Sequence, residues 1–185
     1  MGTSVRLSQL VMCMLVSGWT LAVKALPPAY QTAAHVVGVP AEVLYAIALQ
    51  ESGISLRGTT VPWPWTLNIA GAPHYYPTRA QACIALQSSL QNTAPTRIDA
   101  GLAQLNLGYQ QHHYQRPCDL LDPYRNLAIA ASILRDQYRP GESWLAAAGR
   151  YHRPAGGEIA ERYRARVSRH LAKLTDETSE RSAAR

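Results

Sequence analysis

Apolar positions recur at three- and four-residue spacing along most of the chain, the period of helices buried on one face. Six helices are predicted. A short first one covers residues 29–37 and stops at Gly38, a residue suited to the left-handed cap position. A second has Pro40 at its first position and runs to Ser52, with Val43, Leu44, Ile47 and Ala48 as its stripe. Thr78, with Gln81 three residues on, is a capping box opening a third helix to Leu90, and Cys83, Leu86 and Leu90 face inward. Asp122-Pro123 makes a cap and first turn for a fourth that reaches Tyr138. Ser143 caps a fifth that carries Trp144, Ala147, Ala148 and Tyr151. The sixth, residues 158–174, turns Ile159, Tyr163, Val167, Leu171 and Leu174 inward. Past Thr175 the period fades, so residues 176–185 are expected to fray. No segment alternates convincingly in period two, and residues 54–77, with four prolines and two tryptophans, are expected to be irregular. The predicted fold class is mainly α, with few or no strands.

The first 25 residues break this pattern. Arg6 precedes a 14-residue apolar run, Leu10 to Val23, and Val23 and Ala25 are small residues at the −3 and −1 positions. This reads as a secretory signal cleaved after Ala25, the competing reading being an uncleaved anchor. Cys13 does not suggest a lipoprotein, because Met12 occupies the place of a small residue. The expected organisation is a signal over 1–25, one domain over 26–175 and a tail over 176–185. Export places the protein in the periplasm and leaves no stable membrane span.

Composition sharpens the picture in two ways. The chain has 185 residues, 47% hydrophobic and 16% charged, enough apolar material for one core and too much for a disordered chain. The net charge of +6 is unevenly placed. Residues 26–149 hold seven arginines and seven acids, whereas residues 150–185 hold nine basic and five acidic residues. Arg150, Arg153, Arg162, Arg164, Arg166 and Arg169 suit a solvated helix face or weak attraction to anionic wall polymers. Nucleic acid is not an expected partner, since an exported chain does not meet it routinely and no groove-reading motif is present. Removing Cys13 leaves Cys83 and Cys118, either a disulfide or two buried thiols. A bridge would close 35 residues of chain and contribute roughly 4 kcal/mol. No set of His, Cys and carboxylates has metal-ligand spacing, and the adjacent His112 and His113 are expected to diverge. No cofactor is expected.

Glu51 is out of keeping with its position. It continues the apolar stripe of the second helix and lies in its last turn, so burial and the negative helix end both raise its pKa. A carboxyl neutral near pH 7 can act as a general acid. The alternative is a glutamate that reaches solvent or pairs with an arginine. Gly101 permits close backbone approach, and Gln104 and Asn106 supply amides. Trp63-Pro64-Trp65-Thr66-Leu67-Asn68 adds flat apolar faces beside an amide, a surface suited to sugar rings.

Gln50-Glu51-Ser52-Gly53 resembles the Glu-Ser element of lytic transglycosylases with the goose-lysozyme-like (SLT) fold. Ile98-Asp99-Ala100-Gly101-Leu102-Ala103-Gln104-Leu105-Asn106 is similar to that family's Gly-Leu-Met-Gln element. Asp122-Pro123-Tyr124-Arg125-Asn126-Leu127 resembles the start of its next helix, and Ala147–Tyr151 its Ala-x-x-x-Tyr-Asn element. The four occur in the family's order over residues 28–155, departing from it at Ala103 and His152. The Ile-Asp form and the Trp63–Asn68 stretch resemble transglycosylases of type IV secretion systems and integrating conjugative elements.

The resemblance implies a single lysozyme-like domain with a cleft, which cleaves the MurNAc–GlcNAc β-1,4 bond of peptidoglycan glycan strands and leaves a 1,6-anhydro-MurNAc end. Glu51 is the expected catalytic acid. Asn68, Gln104, Asn106 and Tyr151 are expected at the substrate, Ser52 either there or capping its helix, and Asn126 ordering the wall of the cleft. Partners from a secretion or conjugation apparatus are implied too. The rivals are a hydrolytic lysozyme, with Asp99 ahead of Asp119 and Asp122 as the second carboxylate, and a wall-binding component without turnover.

Overall fold

The computed structural model describes residues 26–183, with side chains described as far as residue 175. The signal expected over residues 1–25 and its cleavage point lie outside the described residues. Six α-helices carry the fold: α1 (Pro28–Val37), α2 (Ala41–Ser52), α3 (Arg79–Ser89), α4 (Pro123–Asp136), α5 (Trp144–His152) and α6 (Gly157–Ala183). None of the described helices is long and apolar enough to cross a membrane.

The stop and start signals act where sequence places them. Gly38 adopts φ +68° and its N–H reaches the carbonyls of Ala34 and His35, closing α1. Pro40 is the residue before α2 rather than its first, a shift of one position. The side chains of Thr78, Asp122 and Ser143 accept from the amides of Gln81, Arg125 and Ala146 and cap α3, α4 and α5. Helix α6 extends to Ala183, past the break expected after Leu174.

Helix α2 is the centre of the molecule. Val43, Leu44, Ala46, Ile47, Ala48 and Leu49 are all buried, so it is covered almost all round rather than on one stripe. Helices α1, α4, α5 and α6 all pack on it. Ala46 and Leu49 lie outside the predicted stripe and are buried as well, the small Ala46 leaving room for a neighbour.

There are six short strands among the described residues, and four of them correct the irregular reading of residues 54–77. β1 (Gly53–Leu56) and β2 (Thr59–Pro62) form a hairpin directly after α2. β3 (Thr66–Ile69), β4 (Ala72–Tyr75), β5 (Ile98–Ala100) and β6 (Leu105–Asn106) form an antiparallel sheet in the order β4-β3-β5-β6. Strands of two to four residues are too short to show an alternation, and β3 finds one of its two partners, β5, about 30 residues further on. The sheet puts Leu67, Ile98, Ala100 and Leu105 into the core.

Cys83 and Cys118 are disulfide-bonded, which ties α3 to the 3-10 turn Pro117–Leu121. His112 and His113 lie on the 3-10 turn Gln111–His113 with ring centroids 4.0 Å apart, so they do not diverge as a regular element would make them. No group of three or more His, Cys, Asp or Glu able to hold a metal occurs among the described residues.

Candidate active site

Glu51 sits in the last turn of α2, and its side chain is 16% exposed. Neither alternative fate holds: it does not extend into solvent, and no arginine lies within 4.0 Å of it among the described residues. Its Oε1 accepts a hydrogen bond from the Tyr163 hydroxyl at 2.6 Å. Burial pushes the Glu51 pKa up to about 7. The Tyr163 hydrogen bond opposes that rise, the Asp99 charge adds to it, and the Arg166 charge opposes it. The carboxyl is therefore both an acid near neutral pH and, once ionised, a supported base.

His152 lies beside this pair. Its ring stacks on Tyr163 with centroids 4.4 Å apart and planes 4° from parallel, and Nδ1 is 4.0 Å from Glu51 Oε1. Burial, then the Arg166 and Arg153 charges, lower the His152 pKa. The first shift favours the protonated carboxyl and the second the neutral imidazole, so both disfavour an ion pair between the two.

The turn between β5 and β6 forms the opposite flank. Gly101 has φ +83° and donates to Thr66 O at 2.9 Å. Gln104 has φ +45°, and its Nε2 donates to Gly101 O at 2.8 Å and Thr66 O at 3.2 Å. Asn126, fully buried at the start of α4, accepts from Ala103 N at 2.9 Å. It donates to Ala100 O and Leu120 O at 2.9 and 2.8 Å. One carboxamide thus satisfies three backbone groups of the turn and its neighbour, the ordering role expected of it.

Ser52 bonds within the frame of the site. It is fully buried, and its Oγ lies 2.7 Å from Leu102 O and 3.1 Å from Ala48 O, fastening the end of α2 to the same turn. Tyr151 donates to Ala103 O at 2.9 Å. Burial, then the Glu51 and Asp99 charges, hold its pKa well above the usual range, so its hydroxyl stays a donor. Asn68 and Asn106 both donate to Asp99. The Asn68 Oδ1 and Trp65 Nε1 atoms are buried without a partner among the described residues. Trp63 and Trp65 meet edge to face at 5.6 Å, and Trp63 Nε1 donates to Tyr76 O at 2.7 Å.

Of the three carboxylates proposed as partners for Glu51, only Asp99 is near it. Asp119 is ion-paired to Arg125 at 2.9 Å and Arg116 at 3.4 Å. The Arg116 backbone hydrogen bond is the main cause holding its pKa low, and its burial opposes this. Asp122 caps α4. Sequence reasoning placed Tyr163 on the inner stripe of α6 but missed its contact with Glu51. A buried tyrosine hydroxyl needs a partner, and that signal was present; which partner it meets, 112 residues away, was not.

The family model for the transglycosylase SLT domain matches residues 28–173. The chain belongs to this family. Its members act on peptidoglycan as lytic transglycosylases, which cleave glycosidic bonds, and the mainly α, lysozyme-like fold agrees with that membership. Neither a curated protein nor a solved structure matches the chain. In this SLT domain the family's Glu-Ser element is the end of α2, and the element carrying Gln104 is the turn that Asn126 orders.

Proposed function

We propose that this SLT protein cleaves the MurNAc–GlcNAc β-1,4 bond of peptidoglycan and leaves a 1,6-anhydro-MurNAc end. One observation carries the reading: Glu51 is a buried carboxyl with its pKa raised to about 7 and a tyrosine hydroxyl on Oε1. Protonated Glu51 gives its proton to the glycosidic oxygen while the C1–O bond breaks and its electron pair leaves with that oxygen. The neighbouring N-acetyl carbonyl supports the electron-poor C1. The 6-hydroxyl oxygen then attacks C1, and the Glu51 carboxylate takes the hydroxyl proton. The acid is restored without water, so one carboxyl serves both steps.

Asn68, Gln104 and Tyr151 position the sugars in this reading, with the Trp63–Trp65 segment as an apolar surface for their rings. The resemblance of residues 63–68 and 98–99 to the conjugation-associated transglycosylases supports a role in opening the wall locally for a secretion or conjugation apparatus. The apolar N-terminal run supports action in the periplasm.

A hydrolytic second reading is favoured by the position of Asp99, a carboxylate whose charge reaches Glu51. Mass spectrometry of soluble products from purified peptidoglycan separates the two. Anhydro-muropeptides from the wild-type protein and none from Glu51→Gln are the expected result. Reducing-end products move the assignment to hydrolysis, and unchanged products from Glu51→Gln overturn the role of Glu51.

A further inference from the structure

The wall that α5 and α6 build beside Glu51 carries two positive charges that no described carboxylate pairs with. Arg153 is the residue that ends α5, and Arg166 lies one turn beyond Tyr163 on α6. The packing of α5 on α6 sets both beside His152, which feels the charge of each. Arg166 also lies over the Tyr163 ring, 5.7 Å from its centroid, and its charge reaches Glu51. Arg153 is exposed and Arg166 half-buried. Two guanidinium groups from different elements thus flank the acid on the side of His152 and Tyr163.

Among the described residues no carboxylate lies within 4.0 Å of Arg153 or Arg166, and neither side chain donates a hydrogen bond. Other arginines of the same two helices are engaged: Arg150 pairs with Glu142 and donates to Gln137 O, and Arg162 pairs with Glu158. A guanidinium presents its N–H donors in a planar fork that matches a carboxylate, so both forks remain open. Arg166 is also ill-placed for the acid by itself. A cation near Glu51 favours the charged carboxylate and works against the burial that keeps it protonated. Asp99, whose charge also reaches Glu51, belongs to the sheet and not to this wall. An anion brought by the substrate would fill the open forks and remove that opposition.

Peptidoglycan brings such anions, because its MurNAc sugars carry short peptides whose free carboxyls are ionised at neutral pH. We propose that Arg153 and Arg166 form a carboxylate-binding subsite for the peptide borne by the glycan strand, so that the protein recognises peptide-bearing strands and not the sugar chain alone. Filling the subsite neutralises the cation that opposes the acid, and a bound peptide thereby helps Glu51 to hold its proton. This rests on the glycosidic reading of Glu51 and adds a substrate feature to it. No bond forms or breaks at either arginine.

The test compares two probes: the disaccharide GlcNAc–MurNAc with its peptide attached, and the same compound with its carboxyls converted to primary amides. Neither contains a MurNAc–GlcNAc bond to cleave. Calorimetry on the purified wild-type protein is expected to give a Kd about 10-fold or more tighter for the carboxylate form. The preference is expected to shrink at high salt and to vanish in Arg153→Gln/Arg166→Gln. In NMR titration of 13C-labelled glutamate carboxyls, the carboxylate form is expected to move Glu51 to higher pH than the amide form does. The other groups around Glu51, namely Asp99, Tyr151, His152 and Tyr163, are the same with both probes. Equal Kd values, no binding of either probe, equal Glu51 titrations, or a preference that survives the double variant overturns the proposal. These measurements involve no cleavage, so a protein that releases no anhydro products fails the proposed function while the two Kd values still decide the subsite. If the double variant does not fold, Arg153→Gln decides, since that side chain is exposed. An undiminished preference there overturns the proposal.

Discussion

Glu51 keeps its proton over a pH range in which an exposed glutamate has lost it, because the end of α2 gives the charged form little solvent. The same property bears on stability. Between about pH 4.5, the ordinary value, and about 7, the folded protein holds a proton that the unfolded chain has released, so stability falls as pH rises through that window. Glu51→Gln removes the titration and still accepts from Tyr163. It is expected to match the wild type at pH 4 and to be more stable at pH 8, by up to about 3 kcal/mol if the full shift is realised. Thermal melting by circular dichroism at the two pH values checks this, and equal melting at pH 8 would contradict a buried, uncharged Glu51. The site's acid was legible in sequence as a polar residue continuing an apolar stripe. Its partners Tyr163 and His152 were not, since each looks like ordinary helix content until α5 and α6 are brought against α2.

At the scale of elements, the turn from Gly101 to Gln104 is where α2, α4, α5 and the sheet meet. Ser52, Asn126 and Tyr151 each bond to its backbone, and Thr66 O accepts from it. The sequence motif marked this turn, but it could not say that Ser52, Asn126 and Tyr151 all bond to its backbone. That depends on which backbone groups the fold leaves unpaired. Gly101→Ala is the sharpest probe: at φ +83° a side chain is strained, and its Cβ would stand 2.3 Å from Asn126 Nδ2 and 2.6 Å from Leu120 O. The change is expected to cost about 3 kcal/mol or more and to remove activity together with the Asn126 contacts. Denaturant unfolding measures the loss, and a variant of wild-type stability would show that the turn has room the contacts deny.

For the whole molecule, the disulfide joins a thinly anchored element to the site. Helix α3 buries only Ala82 and Leu86, and the bridge ties it to the turn whose Leu120 O accepts from Asn126. Closing a loop of 35 residues contributes roughly 4 kcal/mol through the unfolded chain. Reduction is therefore expected to lower the melting temperature by roughly 10 °C. A Cys83→Ala/Cys118→Ala double variant is expected to melt at the lower value with or without reductant. A reductant effect that persists in the double variant would assign the loss to something other than this bridge.

The sequence by itself determined the helices, their caps and the acid at the end of α2, because those depend on neighbours within a few residues. It also determined the family, through four elements in a fixed order. Only the tertiary structure decided what lies across from what. The four-stranded sheet exists because β5 is supplied to β3 from about 30 residues away, and Asn68, Asp99 and Asn106 become one constellation through register alone. The cysteines were either a bridge or two thiols until α3 met the 117–121 turn. Local propensity writes the elements; the pairing of distant polar groups in a low-dielectric interior selects which of them form a site.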